Sequence, residues 1–205
     1  MPSFAEEEDL AMQGYRFIAG IDEAGRGALA GPVVAAAVIL PYRPRPTWLQ
    51  QVKDSKLLTA KKREYLFSCI QEVAVSTGVG IVSHQIIDSY NIVSATKMAM
   101  KQAIEQLSPP ADTLLIDFLS LPEVPIPQKG IVHGDGLCFS IACASIIAKV
   151  TRDRLMIEMD AIYPGYSLGK HKGYCTEEHV ASLNRLGPSP IHRRSFRPVK
   201  EILLR

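Results

Sequence analysis

Cysteine, aromatic residues, long apolar runs and any strong excess of one charge are all scarce in this chain. Its four cysteines, Cys69, Cys138, Cys143 and Cys175, form no Cys-x-x-Cys pair, so neither a disulfide framework nor a redox motif is indicated. Cys175 lies between His171 and His179, but one Cys and two His without a second paired module do not match zinc spacing. The longest apolar run, Pro32 to Leu40, falls far short of the ~20 residues needed to span a bilayer. The first residues are acidic and lack an apolar signal core, and a cytoplasmic, membrane-free protein is the expectation. A formal charge of +2 excludes a highly charged binding protein, yet the charge is uneven. Residues 1–10 hold Glu6, Glu7, Glu8 and Asp9 with no base, whereas from Tyr166 onward eight Lys or Arg face three Glu. Such a basic end suits a nucleic-acid footprint or a solvated surface.

What is present is enough for one well-buried domain with a small appendage: 205 residues, 47% of them hydrophobic. The chain is organised around Ile18 to Pro32. Tyr15 to Ile21 reads as a short apolar strand and Pro32 to Leu40 as another; between them stand Asp22, Glu23 and the turn Gly25-Arg26-Gly27. Acids ending a buried strand are costly unless paired or bound to a cation, which favours a metal or catalytic site over solvated turn residues. Gly25-x-Gly27-x-x-Ala30 formally matches a dinucleotide fingerprint, but a strand rather than a helix follows, and no acid stands about twenty residues on to hold a ribose. That reading is rejected.

Further along, a proline-broken loop spans Pro41 to Pro46, and Asp54-Ser55-Lys56 precedes a helix over Thr59 to Val73 with Leu66, Cys69, Ile70 and Val73 on its apolar face. Val79 to Val82 is a predicted strand, and Asn91 to Leu107 an amphipathic helix with Ile92, Thr96, Ala99, Ala103 and Leu107 inward. Thr113 to Asp117 and Gly130 to Asp135 are predicted strands, each closing on an acid. Leu137 to Met159 is a helix with a buried first half, and Thr176 to Leu186 is the last helix before a basic tail. Strands first, then alternation of strand and helix, make an α/β domain with a mixed sheet.

Asp22 with Glu23, Asp117 and Asp135 thus close three predicted strands of one sheet. Converging carboxylates repel unless protons or cations lie between them. Hard oxygen ligands favour Mg²⁺ or Mn²⁺, and two such ions about 3.5–4 Å apart suit phosphodiester displacement. Ser145 and Lys149, one helical turn apart, raise a Ser–Lys nucleophile pair, but Asp153, four residues on, is the better partner for Lys149.

Six segments in order, Gly20-Ile-Asp-Glu-Ala-Gly-Arg-Gly27, Asp54-Ser-Lys56, Gly134-Asp135, Ser145 to Asp153, His171-Lys-Gly-Tyr174 and Gly187 to Phe196, resemble ribonuclease HII of the bacterial type. The resemblance covers nearly the whole chain. It implies an RNase H-like fold, a mixed five-stranded sheet flanked by helices, with an acidic segment 1–14, a catalytic domain 15–165 and a C-terminal helical extension 166–205. It implies an endonuclease that cuts RNA in RNA–DNA hybrids and cuts 5′ of ribonucleotides embedded in duplex DNA, leaving 3′-hydroxyl and 5′-phosphate ends; a monomer is the expectation. The family's metal-binding carboxylates fall on Asp22, Glu23, Asp117 and Asp135, and the expected cofactor is two divalent ions, Mn²⁺ or Mg²⁺.

The resemblance further places Gly25, Arg26 and Gly27 against the ribonucleotide 2′-OH, the group that tells RNA from DNA. Tyr174 is expected to stack on the next deoxyribose. Lys56, Lys149, and Lys170 or Lys172 are candidate phosphate contacts, the alternative for each being a solvated surface lysine. Two positions depart from the family pattern: Phe118 and Cys175 stand where glycine is usual. Two rival readings stay open here, a related nuclease with another nucleic-acid target and a non-catalytic hybrid-binding module.

Overall fold

The computed structural model describes residues 1–42 and 46–204; residues 43–45 of the proline-broken loop lie outside them. The sheet has five strands in the order β3-β2-β1-β4-β5. β1 (Ile18–Ala24) pairs antiparallel with β2 (Val33–Ile39), which pairs antiparallel with β3 (Ser76–Val82). On its other side β1 runs parallel to β4 (Thr113–Asp117), and β4 parallel to β5 (Gln128–Ile131). Every residue of β2 is buried, because helices cover both faces of the sheet.

One face packs on α3 (His84–Glu105), through Ala19, Ile21, Ala35 and Ile116 against Ala95, Ala99 and Ala103. The predicted apolar stripe of that helix is the one that turns inward. Its predicted start at Asn91 is a real break: Asn91 has φ 68, and its Oδ1 accepts the N–H groups of Val93 and Ser94, capping a second segment behind His84–Tyr90.

The opposite face packs on α5 (Phe139–Ile162) and on α2 (Ala60–Val73), which buries Leu66 and Ile70. Gly20 lets α5 come this close, since a Cβ there would stand 2.1 Å from the Ser140 carbonyl carbon. α1 (Ala5–Met12), within the acidic first segment, lies beside the start of α5, where Glu7 accepts hydrogen bonds from the Ser140 N–H and Oγ.

Three boundaries differ from the sequence reading. β1 runs through Asp22 and Glu23 to Ala24, so the acids belong to the strand's last turn of pleat. β3 starts at Ser76, earlier than its apolar run, because its backbone pairs with β2 as far as Ile39. The predicted strand Gly130–Asp135 is corrected: β5 ends at Ile131, His133 turns the chain at φ 58, and Asp135 sits in the short helix α4 (Gly134–Leu137).

Beyond α5, the chain forms α6 (Leu168–His171), α7 (Glu177–Leu186) and α8 (Arg197–Leu203). α7 begins where predicted, with Thr176 Oγ1 accepting the His179 N–H. Tyr166, Leu168, Leu183, Ile191 and Val199 make a separate small core with Met156 of α5 and with Leu29 and Ala30, just after the glycine turn. Among the described residues no helix is long and apolar enough to cross a membrane.

Candidate active site at the carboxyl end of the central strands

The parallel register of β1 and β4 sets Ile21 opposite Ile116, so the next residues, Asp22 and Asp117, emerge side by side. Alternation along β1 turns Asp22 with Gly20 and Ala24 to the α5 face, and Glu23 reaches the same cleft because the strand ends there. The cleft, about 500 Å³, is lined by Asp22, Glu23 and Asp117, by the glycine turn, and by Lys56, Lys149 and Tyr174. Asp135 joins from α4 at its edge, with its Oδ2 3.6 Å from Lys56 Nζ. A second cavity, about 450 Å³, sits at the other end of β1 against Tyr15 and Ile18.

The electrostatics are those of too many carboxylates in too little water. Burial, then the charges of Glu23 and Asp117, push Asp22 well above the usual carboxylate range, against a hydrogen bond from Ser145. Burial also raises Glu23, although Arg26 Nη1 donates to its Oε1 at 3.1 Å. Glu23 Oε2 is buried with no hydrogen-bond partner among the described residues. Asp117 is raised by burial and by Asp135, even though its Oδ1 accepts the Gly134 N–H at 2.7 Å. Burial opposes the charge on Lys56, but Asp54, Asp135 and Asp22 outweigh it and raise the ammonium pKa. Among the described residues no three His, Cys, Asp or Glu side chains are gathered as a finished metal cage. An open set of hard oxygens around an orphaned carboxylate oxygen suits a divalent cation whose remaining ligands are water and phosphate.

The other candidates divide. Lys149 Nζ reaches Asp153 Oδ1 at 2.6 Å, as its spacing predicts, and lies 5.3 Å from the centre of the Tyr174 ring. Ser145 is no nucleophile partner of that lysine: it is buried, its Oγ is 2.8 Å from Ser55 Oγ, and it hydrogen-bonds Asp22. Lys170 pairs with Glu178 at 2.5 Å, and Lys172 donates to the Gly169 carbonyl while burial lowers its pKa; neither lines the cleft. Cys175 is exposed, and no thiol joins the histidines in a metal group among the described residues. Phe118, where glycine is usual, takes φ 58 with its ring exposed, so the left-handed turn is kept with a side chain on it.

Arg193, from the basic end, and Arg152 of α5 are both buried under the glycine turn. Arg152 donates to the carbonyls of Ala30, Pro32 and Lys172 at 2.9–3.0 Å, and Arg193 to those of Arg26, Gly31 and Pro32 at 2.8–3.1 Å. Neither forms an ion pair among the described residues. By taking carbonyls from inside, they shape the segment 26–32, whose first residues, Arg26 and Gly27, line the cleft. Gly25, at φ 95, is required for the same reason: a Cβ there would meet Arg152 Nε at 2.0 Å. Arg63 also lines the cleft and donates to the carbonyls of Ser55 and Leu58. The helical spacing of Ser145, Lys149, Arg152 and Asp153 on α5 is the one sequence signal for this supporting layer.

A mixed sheet in this order, with carboxylates delivered to one cleft by its central strands, defines a nuclease of the ribonuclease H fold. Solved structures agree. The ribonuclease H2 from Pyrococcus horikoshii OT3 superposes with a TM-score of 0.68 at 26% identity, covering 90% of this chain and 96% of that one. Bst-RNase HIII, solved in complex with Mn²⁺, gives 0.67 at 19% identity, over 92% of this chain and 70% of that one, a likeness of fold. The ribonuclease HII family model matches residues 19–199. The ribonuclease HII of Dehalococcoides mccartyi (strain ATCC BAA-2266 / KCTC 15142 / 195) is 59% identical over 98% of this chain and 95% of its own length. The chain belongs to the ribonuclease HII family, and it is an endoribonuclease of the ribonuclease H class.

Proposed function

We propose that Asp22, Glu23, Asp117 and Asp135 hold the divalent cations with which this enzyme hydrolyses RNA in RNA–DNA hybrids and cuts 5′ of ribonucleotides embedded in duplex DNA. The observation that carries this reading is the buried Oε2 of Glu23, unpartnered among the described residues, beside the buried Asp22, both in a cleft that the glycine turn lines. Bound there, Mg²⁺ or Mn²⁺ would activate water and stabilise the leaving 3′ oxygen; the related Bst-RNase HIII has been solved with Mn²⁺. The chain's own residues do the positioning. Ser145, braced by Ser55, holds Asp22 in place from α5. Lys56 and Lys149 neutralise phosphates flanking the cut. Gly25, Arg26 and Gly27 present backbone to the 2′-OH, which no deoxyribose offers. Tyr174, facing the same cleft, stacks on the sugar of the next nucleotide. Segment 166–205 serves as the substrate-binding extension, and the enzyme works as a cytoplasmic monomer.

The test is cleavage of an end-labelled DNA duplex containing one ribonucleotide, with Mg²⁺, with Mn²⁺ and with chelator, beside an all-DNA duplex. Cutting just 5′ of the ribose, abolished by chelator, is expected to yield 3′-hydroxyl and 5′-phosphate ends. Equal cutting of the all-DNA duplex would overturn the sugar-reading role of the glycine turn.

A further inference from the structure

Two buried imidazoles lie directly behind Tyr174. His179 and His192 are 0% and 1% exposed, and their Nε2 atoms stand 2.9 Å apart. The surrounding backbone decides which atoms carry protons. The Ser189 N–H donates to His192 Nδ1 at 2.9 Å, so Nδ1 is the bare nitrogen and Nε2 carries the hydrogen. That Nε2–H donates to His179 Nε2, which leaves the His179 proton on Nδ1, 2.9 Å from the Tyr174 carbonyl oxygen. The chain of donors therefore runs one way, from Ser189 through two neutral rings to the backbone of Tyr174. Burial lowers both rings' pKa values, in keeping with neutral imidazoles.

This chain spans a small three-ribbon layer. The segment 28–31 has one bridge from Ala28 to Tyr174 and another from Ala30 to His192. The Leu29 N–H donates to the Gly173 carbonyl, while the Arg193 N–H donates to the Leu29 carbonyl. The middle ribbon is the direct continuation of the glycine turn, and the imidazole pair fastens the two outer ribbons to each other across it.

We propose that His179 and His192 are positioning residues, a neutral imidazole relay that fixes the Tyr174 ring against the Gly25-Arg26-Gly27 turn and so sets discrimination of the RNA-to-DNA junction. The consequence for substrate choice rests on the stacking role given to Tyr174 above; the structural coupling does not. An ordinary buried pair would affect stability alone, whereas this one ends on the Tyr174 carbonyl, which also accepts the Thr176 N–H at 2.9 Å.

The experiment has two readouts. In protein labelled with 3-fluorotyrosine, the ¹⁹F line of Tyr174 is assigned by its loss in Tyr174→Phe. His179→Phe is expected to shift that line, and His179→Asn, whose amide reaches the place of Nδ1 and donates to the same carbonyl, to restore it. In parallel, kcat/KM is measured on a single-ribonucleotide duplex and on a long hybrid. The ratio of the two is expected to fall about tenfold in His179→Phe, the scale of one lost sugar or base stack. It should recover in His179→Asn and fall no further in the double variant Tyr174→Ala, His179→Phe. An unmoved ¹⁹F line in His179→Phe overturns the relay. A moved line, with a ratio insensitive to both Tyr174→Ala and His179→Phe, keeps the relay and overturns the stacking role of Tyr174. Should His179→Phe not fold, His192→Asn replaces it: the amide oxygen still accepts the Ser189 N–H, only the donor to His179 is lost, and the same line must move.

Discussion

Asp22 Oδ1 accepts the backbone N–H of the very next residue, Glu23, at 2.7 Å, so the first carboxylate is locked onto the strand that carries the second. That lock keeps a buried charge where burial and two neighbouring acids all oppose ionisation. Raised above its unfolded value, the Asp22 pKa makes the charged form a cost to the metal-free fold at neutral pH. Asp22→Asn should therefore raise the metal-free melting temperature by about 2–5 °C, the shift expected for 1 kcal/mol or slightly more in a chain of this size, while abolishing cleavage. Added Mn²⁺ should raise the melting temperature of the wild type and leave that of Asp22→Asn nearly where it was. Thermal melts with and without metal check both statements.

Asp117 is half-buried, and its carboxylate accepts one backbone N–H, that of Gly134, among the described residues. Its replacement by Asn preserves that acceptor and the fold but removes charge from the oxygen proposed to hold a cation. Turnover should fall by about 10²-fold or more, the range for losing a preorganised electrostatic group, with duplex affinity changed less than threefold by analogy with surface-charge changes. Unchanged single-turnover rates would remove Asp117 from the site.

Phe118 holds φ 58 with an exposed ring. A side chain in the left-handed region costs about 1–2 kcal/mol, part of which glycine returns through its more flexible unfolded chain. Phe118→Gly should thus stabilise the protein by about 0.5–1 kcal/mol, read from urea midpoints at an unchanged m-value.

The His192 pKa is pushed down to about 4 by burial first, then by the neighbouring His179, His84 and His171. Because the folded pKa lies below the unfolded value of about 6.5, the unfolded chain binds the extra proton between those values. Stability is complete above about pH 6.5 and falls as pH drops toward 4, by an amount on the order of 3 kcal/mol for this one group. Urea unfolding from pH 7 to pH 4.5 should show that slope, and His192→Asn should flatten it.

Arg193 donates to three carbonyls that lie 161 to 167 residues away in the chain. A lysine ammonium cannot reproduce that planar fork. Arg193→Lys leaves buried carbonyls unsatisfied and should lower stability by about 1–3 kcal/mol. Because the glycine turn loosens, KM for a single-ribonucleotide duplex should rise more than kcat falls, as steady-state kinetics on that substrate would reveal.

Local pattern determines much of this protein. The apolar run of β2 can only be a strand buried on both faces, and the spacing of Leu66 and Ile70 or of Thr96, Ala99 and Ala103 turns one helix face to the core. Asp22 and Glu23 announce themselves because acids at the end of a buried strand are expensive. Asp117 follows by the same reasoning. Tertiary structure alone decides what depends on distant backbone. The edge strand β5 begins at polar Gln128 because its Leu114 partner fixes the register, and Asp135 is turned into the site by a left-handed His133 and a short helix rather than by a strand end. Ser145 serves Asp22 rather than Lys149 only because Ser55 arrives from ninety residues earlier in the chain. The basic end is the deepest case: Arg193 reads as one charge of a solvated basic surface, yet it is buried by the carbonyls that satisfy it, and nothing in the pattern announces that His179 and His192 pair beside it. Periodicity reports which side chains avoid water; which polar groups will find partners inside is set by loops brought together from opposite ends of the chain.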